Sequence, residues 1–389
     1  MAMRLAALFL IKGGVLALLS LVPARADKMP AFSWDRIPRY MHVRKSTPFT
    51  DRELDYLAEF PLITFEKGTG LKSSGSTEAG TLAAATAVKA RNPRARILYY
   101  RNILVHYPMY GADEALKELS GVFLRNDEGE TRLVRHSLPA YDLSNSDVQE
   151  WWLGHAREIC KSDVIDGIFV DGNIKALEDG YLRREVGREK KAAVKEGYHR
   201  MMSALQRSLP DELVVANMIR ARFPDAGLEY LNYFDGSYIE NFEAAVGGVA
   251  REDYVVQGIE AIQEAARSGK IIAFTIGLGG MKHTKLGIDE SRAKITDLAE
   301  VKERFNYVLA VFLVCAEKYS YFMPTNGYGA DGNSNPLWMQ DFPEFDFPLG
   351  EPLGPARRDG YVYTRSFRHA QVRVDVKKQQ GEVVWLKEP

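Results

Sequence analysis

Cysteine is nearly absent from this chain: Cys160 and Cys315 are the only two in 389 residues. Both sit among apolar neighbours in helix-like segments. They read as buried free thiols, so no disulfide framework organises the fold. The seven histidines, His42, His106, His136, His155, His199, His283 and His369, show no His-x-His, His-x-x-x-His or His-Glu-x-x-His spacing. A catalytic metal is therefore not expected, and no cofactor is. No Gly-x-Gly-x-x-Gly follows the first strand candidate, and neither Gly-x-x-x-x-Gly-Lys-Ser/Thr nor Gly-x-Ser-x-Gly occurs. Dinucleotide, P-loop and serine-nucleophile chemistry lose their signatures. Gly277-Leu278-Gly279-Gly280 reads as a flexible loop rather than a phosphate cradle. Charge of one sign is also lacking: 51 Lys and Arg stand against 52 Asp and Glu, with no basic stripe, so nucleic acid is not an expected partner.

The first 26 residues read as a secretory leader. Arg4 and Lys12 supply the positive start, Gly13 to Val22 the apolar run, and Ala24-Arg25-Ala26 the cleavage pattern. That run is short for a bilayer span, and no second apolar segment of membrane length follows. The expectation is a soluble, secreted or periplasmic protein starting at Asp27, with no stable membrane insertion after cleavage. Nothing in the sequence indicates an oligomeric state.

Beyond the leader, strand-like and helix-like runs alternate. The strand candidates are 39–43, 60–66, 96–101, 167–171, 213–217, 237–240, 271–276 and 320–323. Helix candidates lie between most of them, and the first opens with the capping box Thr50 to Glu53. Regular β-then-α alternation favours a parallel sheet, and eight repeats favour a closed (β/α)8 barrel, here assigned to residues 27–340. Phe123-Leu124 and Leu133-Val134, around Asn126-Asp127-Glu128-Gly129, predict a hairpin insertion near 121–135. Residues 341–389 alternate apolar and polar after a stretch rich in proline, glycine and acidic residues. They predict a small antiparallel β appendage packed on the barrel.

The most informative stretch is Asp166-Gly167-Ile168-Phe169-Val170-Asp171-Gly172-Asn173. A buried parallel strand that stops at a carboxylate and a glycine turns its last side chain toward a site. Gly236-Ser237-Tyr238-Ile239-Glu240-Asn241 ends the same way. In barrel enzymes reactive groups sit at the C-terminal strand ends. The inventory there is polar: His42, Glu66, Arg101 and Asn102, Asp171 and Asn173, Asn217, Glu240 and Asn241, Thr275, Thr325 and Asn326. Two carboxyl groups suffice to hydrolyse a glycosidic bond, one protonating the leaving oxygen and the other attacking or activating water. Asp171 is assigned as nucleophile or base and Glu240, with the longer arm, as general acid. His42, Glu66, Arg101, Asn173, Asn217 and Asn241 are the candidate substrate contacts. Asp166 and Asp235 precede their strands and belong at the barrel bottom.

Asp142-Leu143-Ser144-Asn145, Trp151-Trp152, the 166–172 stretch, Leu349-Gly350-Glu351-Pro352-Leu353-Gly354 and Tyr363-Thr364-Arg365-Ser366-Phe367 together resemble the barrels of the "hypothetical glycosyl hydrolase" group. The likeness covers most of the chain beyond the leader. It implies a glycoside-hydrolase-like (β/α)8 barrel acting on carbohydrate. Related barrels, α-galactosidase-like and polygalactosaminidase-like, carry acidic catalytic residues after strands four and six, which on this sequence are Asp171 and Glu240. The reading is therefore an exported glycoside hydrolase of a poly- or oligosaccharide. The alternative is a non-catalytic carbohydrate-binding protein on the same scaffold, and a third is a barrel lyase or isomerase using His42 or Tyr141 as base.

Overall fold

Extended runs of branched and aromatic residues that are buried on both faces satisfy their backbones by pairing side by side. In the computed structural model of the chain eight such runs do so. The structure describes residues 28–386 except 135, 136, 222, 224, 241, 280–282, 285, 286, 289–297, 333 and 334, so the leader and Asn241 lie outside the described residues. The strands are β1 (Tyr40–Val43), β2 (Leu62–Phe65), β3 (Arg96–Asn102), β4 (Gly167–Asp171), β5 (Leu213–Asn217), β6 (Gly236–Ile239), β7 (Ile271–Ile276) and β8 (Ser320–Pro324). They pair parallel in chain order. Single bridges, Arg39 opposite Phe322 and Arg44 opposite Gly329, bring β8 back to β1, so the sheet is nearly closed into a barrel.

The outer layer holds α1 (Asp51–Leu57), α2 (Thr77–Lys89), α3 (Ser146–Ile159), α4 (Arg188–Ser208), α5 (Arg251–Arg267) and α6 (Leu298–Cys315). Among the described residues the crossover between β5 and β6 carries only a 3-10 turn, Leu228–Tyr233. The predicted capping box forms: the Thr50 amide donates to Glu53 at 2.6 Å and the Glu53 amide to the Thr50 hydroxyl at 3.4 Å. Helix α2 starts at Thr77, because Ser76 accepts from the Ala79 amide at 3.2 Å and caps it there.

The hairpin expected near 121–135 is different in detail. Its turn forms, with Gly129 at φ +80° and Arg125 bridged to Thr131. Leu133–Val134, however, pair with Leu138–Pro139 instead of with Phe123–Leu124. Phe123 bridges Tyr141, which ties the insertion to the loop after β3.

A cluster of rings fills the barrel interior. His42, Phe169 and Tyr238 meet with ring centroids 4.9–5.3 Å apart, and Tyr100 stacks on Phe169 at 5.7 Å. These rings plug the barrel beneath its mouth. Outward-facing strand residues pack under the helices, as Phe322 does against Phe312 of α6 at 4.8 Å.

The C-terminal strands β9 (Arg357–Asp359), β10 (Val362–Ser366), β11 (Ala370–Asp375) and β12 (Gln380–Trp385) form an antiparallel sheet in that order. It lies on α6, where a Cβ at Gly381 would stand 2.5 Å from the Tyr307 Cα, so only glycine permits the approach. Arg365 of β10 is buried and caps the end of α6. Its guanidinium donates to the carbonyls of Leu313, at 3.1 Å, and Ala316, and to Glu317 at 2.9 Å. A cation that satisfies the last carbonyls also opposes the negative end of the helix dipole. Arg365→Met leaves those acceptors buried without a donor. It is expected to lower the unfolding free energy by about 2–3 kcal/mol, read as a lower denaturation midpoint in urea.

Candidate active site

The last inward residue of each strand, or the residue just past it, lines the C-terminal mouth. Asp171 ends β4 and Glu240 follows β6, and Asn217 at the end of β5 stands between them. The Asn217 Nδ2 donates to Asp171 Oδ1 at 3.2 Å and to Glu240 Oε2 at 3.0 Å. Two oxygens that accept from one nitrogen at these distances stand no more than about 6 Å apart. Arg220, in the loop after β5, closes the arrangement. Its Nη2 donates to Asn217 Oδ1 at 2.6 Å and to Glu240 Oε2 at 2.9 Å. Glu240 is 40% exposed.

The other oxygen of Asp171, Oδ2, accepts from the Tyr100 hydroxyl at 2.5 Å and from Asn102 Nδ2 at 3.1 Å. Burial alone would raise the Asp171 carboxyl. The Tyr100 hydrogen bond and then the charges of Lys67 and Lys175 outweigh it, and the group lies below its ordinary value. Asp171 is accordingly an ionised carboxylate at neutral pH. The Tyr100 hydroxyl is pushed far up by burial and by the Asp171 charge, so it stays a donor.

His42 and Glu66 come together at the end of β1 and past β2: His42 Nε2 and Glu66 Oε2 are 2.6 Å apart, both nearly fully buried. Glu66 Oε1 is ion-paired with Lys67. Burial alone would raise Glu66, but the Lys67 charge and the His42 hydrogen bond bring it below the ordinary carboxylate range. Lys67 is raised by the Glu66 charge against the effect of its own burial, and it lies over the rings of Tyr100, Tyr107 and Tyr328 at 4.5, 4.7 and 5.6 Å.

Two of the sequence candidates lie away from the mouth. Position at the end of β3 assigns Arg101 to the mouth, but period-two alternation turns Tyr100 and Asn102 inward and Arg101 outward. Its guanidinium is 1% exposed and stands over Tyr110, Trp151 and Trp152 at 4.5, 5.1 and 5.9 Å. Asn173 is fully buried: its Nδ2 donates to the Val170 and Asn217 carbonyls and its Oδ1 accepts from the Tyr198 hydroxyl, so it braces the β4–β5 ends. Asn241 lies outside the described residues. Tyr141 is buried behind β3, bonded to His106 at 2.9 Å, and its hydroxyl is pushed up by burial, so it stays protonated at neutral pH. Asp166 and Asp235 sit at the barrel bottom in ion pairs with Arg96 and Lys28 at 2.9 and 2.7 Å.

Lys67, Tyr100 and Arg220 are mouth residues that strand-end reasoning does not single out, and Asn102, present in the strand-end inventory, is not among its substrate contacts. Counting alternation forward from Tyr100 selects Asn102 over Arg101. Arg220 sits in a loop without periodicity, and only the fold brings it to Glu240.

A cavity of about 570 Å³ opens on the Glu240 side of the mouth, lined among others by His42, Tyr238, Glu240, Phe242, Thr275, Asn326 and Tyr328. Grooves of about 660 and 630 Å³ lie at the opposite end, among residues that precede β1 and β2 and against the C-terminal segment, away from the carboxylates. Among the described residues no group of three His, Cys, Asp or Glu could hold a metal ion, and no helix is long and apolar enough to cross a membrane.

Residues 89–371 match the sequence model of hypothetical glycosyl hydrolase family 15. A search of curated proteins gives no match. Among solved structures, a variant of the GH36 α-galactosidase AgaA from Geobacillus stearothermophilus, in complex with 1-deoxygalactonojirimycin, aligns with TM-score 0.50 at 12% identity, over 88% of this chain and 48% of that one. A variant of the glycoside hydrolase domain of PelA from Pseudomonas aeruginosa aligns with TM-score 0.46 at 11% identity, over 75% and 99%. The α-galactosidase TtGalA from Thermus thermophilus gives 0.45 at 14% identity, over 90% and 68%.

Depressed carboxylates contribute stability that is present above their unfolded values, about 4, and lost as pH falls through the folded ones. Glu66→Gln should therefore cost most at neutral pH, where it leaves Lys67 unpaired. The gap to wild type should narrow below about pH 4, as measured by thermal melts from about pH 7 to about pH 3.

Proposed function

The chain belongs to hypothetical glycosyl hydrolase family 15, and we propose that it is an exported glycoside hydrolase using Asp171 as nucleophile and Glu240 as general acid and base. The observation that carries this reading is the single Asn217 amide shared by two strand-end carboxylates. It holds one oxygen of each acid within about 6 Å of the other, compatible with the ~5–5.5 Å of retaining enzymes and below the ~6.5–9.5 Å of inverting ones.

In the first step Asp171 attacks the anomeric carbon as Glu240 protonates the departing oxygen. In the second, Glu240 takes a proton from water, which displaces Asp171 with net retention. The electrostatics suit this division. Asp171 is held ionised by donors on both oxygens. Glu240 has Oε2 tied to Asn217 and Arg220, and Oε1, with no described partner, is the oxygen that can carry a proton to the cavity. The aromatic and hydroxyl-bearing cavity wall offers ring faces and neutral hydrogen bonds, which suit a sugar. The leader pattern at 1–26 supports export.

Asp171→Asn and Glu240→Gln should each lower turnover on a cleaved glycan at least ~1000-fold without loss of fold, scored by reducing-end release and circular dichroism. Proton NMR of the first-formed product should show the starting anomeric configuration. Full activity in both variants would sink the assignment, and glycan binding without cleavage by the wild type would identify a carbohydrate-binding protein instead.

A further inference from the structure

The two oxygens of Asp171 are not equivalent. Oδ2 accepts from the Tyr100 hydroxyl at 2.5 Å, at the short end of the range for a charged acceptor, and from Asn102 at 3.1 Å. Oδ1 accepts from Asn217 at 3.2 Å, on the same amide nitrogen that donates to Glu240 on the cavity side.

The direction of the Tyr100 proton follows from its surroundings. Asn102 Nδ2 lies 3.2 Å and Lys67 Nζ 3.5 Å from the Tyr100 hydroxyl oxygen, and both groups can only donate. The hydroxyl therefore accepts from those sides and has the Asp171 carboxylate left as acceptor for its own proton. The phenol cannot turn away, because its ring is buried inside the barrel against Phe169 at 5.7 Å with an interplanar angle of 19°. Asn102 is pinned too: its Oδ1 accepts from the Leu104 and Val105 amides at 3.0 and 2.7 Å.

We propose that Tyr100, oriented by Lys67 and Asn102, is a positioning residue that reserves Oδ2 of Asp171 as the non-attacking oxygen and leaves Oδ1 to form the bond to the anomeric carbon. This rests on the double-displacement reading above. As the Oδ1–carbon bond forms and the bond to the departing oxygen breaks, the proton from Glu240 goes to the leaving group. Oδ2 becomes the carbonyl oxygen of the ester. Tyr100 keeps its proton and its hydrogen bond throughout, so it is already in place to receive the charge that returns to the carboxylate when water displaces it.

The charged and titratable groups facing Asp171 are Tyr100 inside the barrel, Lys67 in the turn after β2, Lys175 on the segment after β4, and Glu240 across Asn217, with Glu66 behind Lys67. The test is a 13C titration of the full chain labelled at aspartate carboxyls, with Asp171 identified by its absence in Asp171→Asn. Tyr100→Phe should move the Asp171 midpoint up by roughly one pH unit, and Lys67→Gln should move it the same way. Should the phenylalanine variant not fold, Lys67→Gln carries the test alone. An Asp171 midpoint at its wild-type position in the variants that fold overturns the assignment. That readout needs no substrate, so it fails independently of the hydrolase reading, which stands or falls on the activity of Asp171→Asn and Glu240→Gln.

Discussion

Side chains alternate across a strand, and in a closed parallel sheet only every second strand-end residue reaches the mouth. The architecture of the candidate site depends on that constraint. On β3 it sends Tyr100 and Asn102 to Asp171 and sends Arg101 into the rings of Tyr110, Trp151 and Trp152. On β4 and β5 it aims Asp171 and Asn217 inward and on β6 it carries Tyr238 into the ring cluster with His42 and Phe169. That cluster gives the mouth a solid floor, which the polar strand ends above it require to hold a geometry.

Charge is compensated locally rather than across the mouth. Glu66 is matched by Lys67 and bonded to His42, Glu240 is matched by Arg220, and Asp171 is held by neutral donors with Lys67 and Lys175 nearby. Each carboxylate thus has a different environment. Glu66 is sealed, with both oxygens engaged. Asp171 is bonded on both oxygens but borders the mouth. Glu240 keeps one side in the cavity. Separate environments for otherwise similar acids are how a barrel mouth divides chemical labour among them.

Much of this is legible in the residues. The glycine-bounded apolar runs locate β4 and β7, the capping box locates α1, and the eight-fold alternation predicts the barrel. Position relative to the strand separates Asp171 from Asp166. The misplaced candidates share a cause: standing at a strand end does not by itself say which way a side chain faces. Asn102 points inward where Arg101 does not, and Asn173, one turn past the strand, spends its amide on the Val170 and Asn217 carbonyls.

Local sequence determined where the strands begin and stop, because burial on both faces and turn chemistry are properties of a few neighbouring residues. It also determined which carboxylates stand at C-terminal ends. Only the tertiary structure decided which of those groups share partners. Asn217 is 46 positions from Asp171 and 23 from Glu240, and one amide nitrogen serves both acids only because parallel pairing sets β4, β5 and β6 side by side. Arg220 and Lys67 reach the site from loops whose course follows from packing, not from any periodicity in the chain.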